Sequence, residues 1–344
     1  MDTKHYLNLL DELDDLEQTD TVWNKTKRKE KFTTRNPKKL DGPTHDFIRR
    51  QDDSSRNFKF TYQAARFEEG WLLESLGAFY EHRWISDVLR RVKGGKEASV
   101  YLCAPGAEVN AHLLAAKVYR PRQLRNLKND ALYRVGRTDL DEDGNRIVDE
   151  GMLKALHRRT HYGEELRHQS WIVYEFETLK ALREAGADVP TPYAVEHNAI
   201  LMDYIGDVNS PAPTLNTIEL DGTEAKPLFE RVLHNVDLML EHHCIHGDLS
   251  AYNLLYWNGD IALIDFPQVV SPDANPAAWR IFLRDITRIC QYFNSQGLPS
   301  DPQKLAADLW TSHGYKVVKE VHPRDLDADK GEDRKIWEKQ KAHG

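Results

Sequence analysis

The stretch His246-Gly247-Asp248-Leu249-Ser250-Ala251-Tyr252-Asn253, followed by Ile264-Asp265-Phe266, decides how this chain is read. Between the two, residues 254–257 and 261–266 are apolar runs on either side of Asn258-Gly259, a dipeptide suited to a tight hairpin turn. Such a turn folds the second run back on the first and brings Asp265 beside Asn253. Asp248 then has the position of a carboxylate that orients or deprotonates an acceptor hydroxyl. Asn253 and Asp265 offer hard oxygen ligands for magnesium, with manganese as an alternative ion. Phosphoryl transfer from ATP needs that set, because transition-state charge must be neutralised by a metal and by fixed cations.

Working outward toward the N-terminus, residues 93–101 (KGGKEASVY) form a glycine-bearing strand-to-strand turn whose backbone can approach phosphates closely. Gly94, Gly95, Lys96, Glu97, Ala98, Ser99 and Val100 are its candidate nucleotide contacts, with the Ser99 hydroxyl expected to reach a phosphate. In Ala115-Ala116-Lys117-Val118, Lys117 stands at a strand position suited to the α- and β-phosphates, and Ala115 is small enough to lie over adenine. This strand resembles the one in protein kinases whose lysine is held by a glutamate on a following helix. Among Glu175, Glu177 and Glu184 we select Glu175, one turn before the core-facing Leu179. Residues 201–206 (LMDYIG) read as a strand and hinge, with Met202 and backbone groups of Asp203 and Ile205 at the adenine edge. Leu255 completes the candidate nucleotide-binding set.

These motifs sit in an α+β chain. Helical spacing from Trp71 through Tyr80, strands at 85–92, 98–103 and 113–119, and a helix at 171–185 ended by Gly186 precede a hairpin about His197-Asn198. Helices at 227–242 and 279–293 flank the quoted stretch. We divide the chain into a charged arm (1–65), an N-lobe (66–205) carrying a polar insertion at about 120–168, a C-lobe (206–300) and a charged extension (301–344).

Charged residues make up 30% of the chain and hydrophobic ones 40%, and no apolar run is long enough to cross a bilayer. The acidic, polar N-terminus does not read as a secretory signal, so the cytoplasm is expected. Cys103, Cys244 and Cys290 are widely spaced and read as buried thiols. The net charge of −8 hides a basic run at 25–39, which suits phosphates of RNA or, equally, a solvated tail. Arg120, Arg122, Arg125 and Lys128 form a smaller basic set. Asp139, Asp141, Asp143, Gly144 and Glu150 have calcium-loop spacing, but Arg146 falls where an apolar residue belongs, so an acidic hairpin is the better reading.

Taken together, residues 85–293 resemble the RIO family of atypical serine/threonine protein kinases, of bacterial type. The resemblance lies at Gly95-Lys96-Glu97-Ala98, Ala116-Lys117-Val118-Tyr119, residues 171–179, 202–206 and 246–253, Ile264-Asp265 with Gln268, and Phe282-Leu283-Arg284-Asp285. It implies a bilobal kinase-like fold without the usual activation segment, and no A-P-E follows Asp265. It implies ATP- and magnesium-dependent phosphorylation of a protein, or an ATP-hydrolysing switch on ribosomal RNA or precursors, engaged through the basic arm at 25–39. A small-molecule phosphotransferase of aminoglycoside or choline type shares the H-G-D-x-x-x-x-N loop, but Lys96-Glu97-Ala98 and residues 264–268 favour the RIO resemblance. The insertion is longer than the family's flexible loop, and the arm matches no accessory domain of the family.

Overall fold

The computed structural model describes residues 58–95, 97–120, 130–158 and 160–317. The basic arm at 25–39, Lys96, Arg122, Arg125, Lys128 and residues 318–344 lie outside the described residues.

Helix α1 (Arg66–Glu81) leads into β1 (Ile85–Gly94), β2 (Ala98–Pro105) and β3 (Leu114–Tyr119). After helices α2 (Asp130–Arg134), α3 (Glu150–Arg158) and α4 (His161–Glu184) come β4 (Pro192–Glu196) and β5 (Ala199–Asp203). The five strands form one antiparallel sheet in the order β1-β2-β3-β5-β4. Register assigns the faces, because directly paired residues share a side of the sheet. Tyr101, Cys103, Leu114, Ala116, Val118 and Leu201 turn toward α1, where Leu72, Leu76 and Phe79 complete a core. The opposite face carries the pairs Val100–Lys117 and Leu102–Ala115, with Ile200 and Met202 across from the last two β3 partners. Sequence alternation alone thus separates a structural face from a cleft face.

The C-lobe holds α5 (Ala225–Glu241), the hairpin β6 (Leu254–Trp257) and β7 (Asp260–Leu263), α6 (Ala278–Ser295) and α7 (Pro302–Ser312). Trp257 pairs with Asp260, and both Asn258 and Gly259 have positive φ, as a two-residue turn matching strand twist demands. This β-sheet lobe and helical lobe make the bilobal kinase-like architecture.

Several boundaries differ from the sequence expectation. Residues 58–65 are not all arm: Phe58 is buried in the N-lobe core and stacks on Tyr80 at 4.5 Å. The polar insertion carries helices α2 and α3 among its described residues, and α4 begins ten residues before the apolar stripe, at a cap where Thr160 Oγ1 accepts the Gly163 N–H at 3.0 Å. A Cβ on Gly163 would lie 2.0 Å from the Ala155 carbonyl oxygen, so a residue without a side chain lets α3 and α4 meet. Residues 139–147 form a tight turn closed by the Leu140–Arg146 bridge, and Asp141 Oδ1 accepts N–H groups of Asp143 and Asn145. In the expected charged extension, α7 buries Trp310 against Trp279 and Phe282, so this helix belongs to the C-lobe core. All three cysteines are buried and free. Among the described residues no helix is long and apolar enough to cross a membrane.

Candidate active site

The quoted stretch is held from below by α6. Gly247 N–H donates to Asp285 Oδ2 at 2.9 Å, and Arg284 Nη2 donates to the Gly247 carbonyl. His246 is buried; its Nε2 faces the Ile264 carbonyl at 3.1 Å while Nδ1 takes the Asp248 N–H at 3.3 Å, which fixes the Nε2–H tautomer. These bonds fix the backbone on both sides of Asp248. Burial pushes the Asp285 carboxyl up, only partly opposed by the Arg284 charge, and the group is inaccessible. It is a backbone anchor rather than a reacting acid.

Asp248 and Asn253 meet directly. Asn253 Nδ2 donates to the Asp248 carbonyl at 2.8 Å and to Asp248 Oδ2 at 3.1 Å, which turns its amide oxygen the other way. The Asn253 carbonyl accepts the Ile264 N–H at 3.0 Å, so the residue before Asp265 is tied to Asn253. Asp265 lies two positions beyond the end of β7 and has φ 71°, a left-handed conformation that costs an aspartate free energy. That strain turns the carboxylate away from the strand and toward the sheet above.

There it meets Lys117, whose Nζ lies 2.6 Å from Asp265 Oδ1 and 2.7 Å from Glu175 Oε1. Tyr119 OH donates to the other Glu175 oxygen. Burial draws the Lys117 ammonium down, but Asp265 and Glu175 outweigh it and hold the group well above the usual lysine value. Burial likewise raises the Asp265 carboxyl, and the Lys117 charge more than reverses this, leaving it below the ordinary aspartate value. Glu177 faces Lys180 at 3.9 Å and Glu184 is exposed on the last turn, so neither competes for Lys117.

Val100, Ala115 and Met202 share the cleft face with Lys117. Ser99 does not: it pairs with Val118 on the opposite face and is buried, so the expected contact of its hydroxyl with a phosphate is corrected by strand alternation. Gly94 closes the β1–β2 ladder opposite Ser99, Gly95 N–H donates to the Ala98 carbonyl at 2.9 Å, and the Glu97 carbonyl accepts from Arg120 N–H at 2.8 Å. At the hinge, Asp203 uses its N–H on Thr191 and its carboxylate on Thr191 N–H and Tyr193 OH. The Ile205 carbonyl accepts from Ala212 N–H at 2.9 Å. Those groups hold the hinge itself, and among the described residues the Ile205 N–H makes no backbone bond of this kind. Leu255 lies on β6, half-buried, paired with Ala262.

Sequence reading missed three contributors. Arg288, one turn after Arg284 on α6, places Nη1 2.8 Å from Asp248 Oδ1. Tyr133, inside the insertion, accepts from Arg284 Nη1 at 3.1 Å. Arg137 donates to the carbonyls of Pro267 and Val269. The i, i+4 spacing of Arg280, Arg284 and Arg288 was the available signal for the first.

A lysine between two carboxylates above an Asp–Asn pair, in a cleft between a sheet and a helical lobe, defines a protein-kinase-like nucleotide site. The oxygen-only set of Asp265 and Asn253 fits magnesium, and the Lys117 ammonium fits nucleotide phosphates. Residues 118–305, more than half of the chain, match the RIO domain family, and the chain belongs to that family. The chain is 32% identical over 135 residues to the RIO-type serine/threonine-protein kinase Rio1 of Thermoplasma acidophilum, covering 39% of this chain and 69% of that protein. It is 29% identical over 218 residues to the Haloferax volcanii Rio1, covering 62% of this chain and 66% of the relative. Against human serine/threonine-protein kinase RIO3 it is 29% identical, with half of this chain matching a third of the human protein's length. Among solved structures, the Rio2 kinase-ADP/Mg2+-phosphoaspartate complex from Chaetomium thermophilum is similar at a TM-score of 0.48 and 21% identity, covering 80% of this chain and 77% of the other.

Proposed function

We propose that this chain is an ATP- and magnesium-dependent RIO-type serine/threonine protein kinase. The observation that carries the reading is Lys117 set between Glu175 and Asp265, with Asp248 and Asn253 bonded to each other on the loop below. In this reading Lys117, kept charged and positioned by Glu175, binds nucleotide phosphates. Val100, Ala115 and Met202 cover the adenine from the sheet, and Leu255 supports it from the C-lobe. Asp265 and Asn253 hold magnesium, which when bound neutralises charge on the phosphates. Asp248 orients the acceptor hydroxyl and takes its proton.

The acceptor is a protein, the substrate class implied by the family's kinases. Ribosomal RNA or a ribosomal precursor is the partner we assign to the basic arm, because Lys25, Lys27, Arg28, Lys29, Lys31, Arg35, Lys38 and Lys39 face only Glu30 in sequence. The same reading places the chain in the cytoplasm. The test is incubation of the purified protein with γ-labelled ATP and magnesium, with and without a ribosomal fraction, following protein label and free phosphate separately. Label on serine or threonine that vanishes in Asp248→Ala supports the kinase. Free phosphate without stable label supports an ATP-hydrolysing switch, and neither product overturns the reading.

A further inference from the structure

Both oxygens of the Asp248 carboxylate are engaged, and they are engaged differently. Oδ2 accepts at 3.1 Å from the neutral amide of Asn253, a residue on the same loop. Oδ1 accepts at 2.8 Å from the guanidinium of Arg288, which comes from α6, forty positions on in sequence. Arg284 and Asp285, one turn earlier on the same helix, grip the backbone of Gly247. Helix α6 therefore holds the reactive loop at two levels: the backbone through Arg284 and Asp285, and the side chain itself through Arg288. The Arg288 side chain is 19% exposed and that of Asp248 is 37% exposed, so the pair lies at the cleft floor with the carboxylate reachable from outside.

We propose that Arg288 is a positioning residue that sets the orientation of the Asp248 carboxylate toward the acceptor; this rests on the kinase reading above. A carboxylate on two rotatable bonds, held only by an in-loop amide, can swing with that loop. A planar guanidinium anchored on a helix fixes one oxygen, and the lone pairs it leaves remain directed at the cleft. Arg288 bonds Asp248, the group assigned to the acceptor, so its loss should act on the transfer step rather than on ATP binding.

The experiment compares wild type, Arg288→Ala and Arg288→Lys in steady-state ATP turnover and acceptor labelling, with thermal melting run in parallel. Arg288→Ala is expected to lower kcat about 100-fold, the order of loss that follows misplacement of a reacting group, with the KM for ATP unchanged. Lysine restores the charge without the fork and should recover part of the rate. Millimolar guanidinium, far below denaturing levels, should partly rescue Arg288→Ala. A kcat equal to wild type, or a loss tracking a lowered melting temperature with no rescue, overturns the proposal. A double-mutant cycle on melting with Asp248→Asn reads the pair without any activity: coupled losses are expected, and additive ones overturn it. Wild-type protein that neither turns over nor labels, but shows coupling, removes the kinase reading and with it the positioning role, while leaving the pair established.

Discussion

Lys117 Nζ stands 2.6 Å from Asp265 Oδ1, so an inner strand of the sheet is bonded directly to the loop beyond the C-lobe hairpin. The pair closes the cleft between the lobes, and the same lysine reaches the almost inaccessible Glu175. In the proposed reading, stability and nucleotide use therefore meet in one ammonium group.

Replacing Lys117 by methionine leaves Glu175 buried with the neutral Tyr119 hydroxyl as its partner among the described residues. Breaking a buried pair in this way should cost about 3 kcal/mol, read by denaturant unfolding. Loss of a fixed cation at the phosphates should lower kcat/KM for ATP by about 10² to 10³ under conditions where the variant remains folded. Asp265→Ala should abolish magnesium-dependent turnover. Normal turnover by Asp265→Ala would remove the metal assignment.

The same pair predicts a pH window. Lys117 is held above its unfolded value of about 10.4, so its contribution is complete below that pH and is lost as pH rises through the folded-state value. Asp265 is held below its unfolded value of about 3.9, so its contribution is complete above that pH and is lost as pH falls through the folded-state value. The difference in melting temperature between wild type and Asp265→Asn, which leaves Lys117 paired with Glu175, should stay flat from about pH 5 to about pH 9 and shrink below about pH 4. A difference that changes between pH 6 and pH 8 would show that other groups control the pair.

The insertion is fastened to the C-lobe by Arg137, which donates to the Pro267 and Val269 carbonyls at 3.0 and 2.7 Å and lies 4.4 Å over the Tyr174 ring. Arg137→Ala should cost about 2 to 3 kcal/mol. Next to it, Gly136 has φ 78°, and a Cβ there would lie 2.4 Å from the Ala274 Cβ, so Gly136→Ala should destabilise by about 1 to 3 kcal/mol. Because Tyr133 of this segment bonds Arg284 beneath the reactive loop, both variants should also lose turnover. Unfolding curves matching wild type would show that the segment does not brace the lobe.

What was legible in the sequence was local. The Asn258-Gly259 turn, the spacing from Asp248 to Asn253 to Asp265, and the alternation in residues 113–119 are set by backbone geometry over a few residues, and the corresponding elements are present in the structure. Glu175 could be selected over Glu177 and Glu184 because helical period assigns faces. Ser99 was misplaced because the turn was read as a phosphate loop without counting which face each strand residue takes.

The hidden elements were those whose pattern is polar or whose partners are distant. Residues 161–170 carry few apolar residues and 130–134 make little more than one turn, so the first helix rests on its Thr160 cap and both on burial of Leu132, Tyr133 and Leu166 rather than on a visible stripe. Trp310 finds its core only once α7 packs on α6. The sequence by itself determined the reactive motifs, the sheet alternation and the membership they point to, since each depends on short-range spacing. Only the tertiary structure decided that Lys117 bridges Glu175 and Asp265, that Arg288 grips Asp248, and that the insertion braces the catalytic lobe. Those bonds close loops of 40 to 148 residues, and no local rule of pattern or propensity fixes which charges meet across such distances.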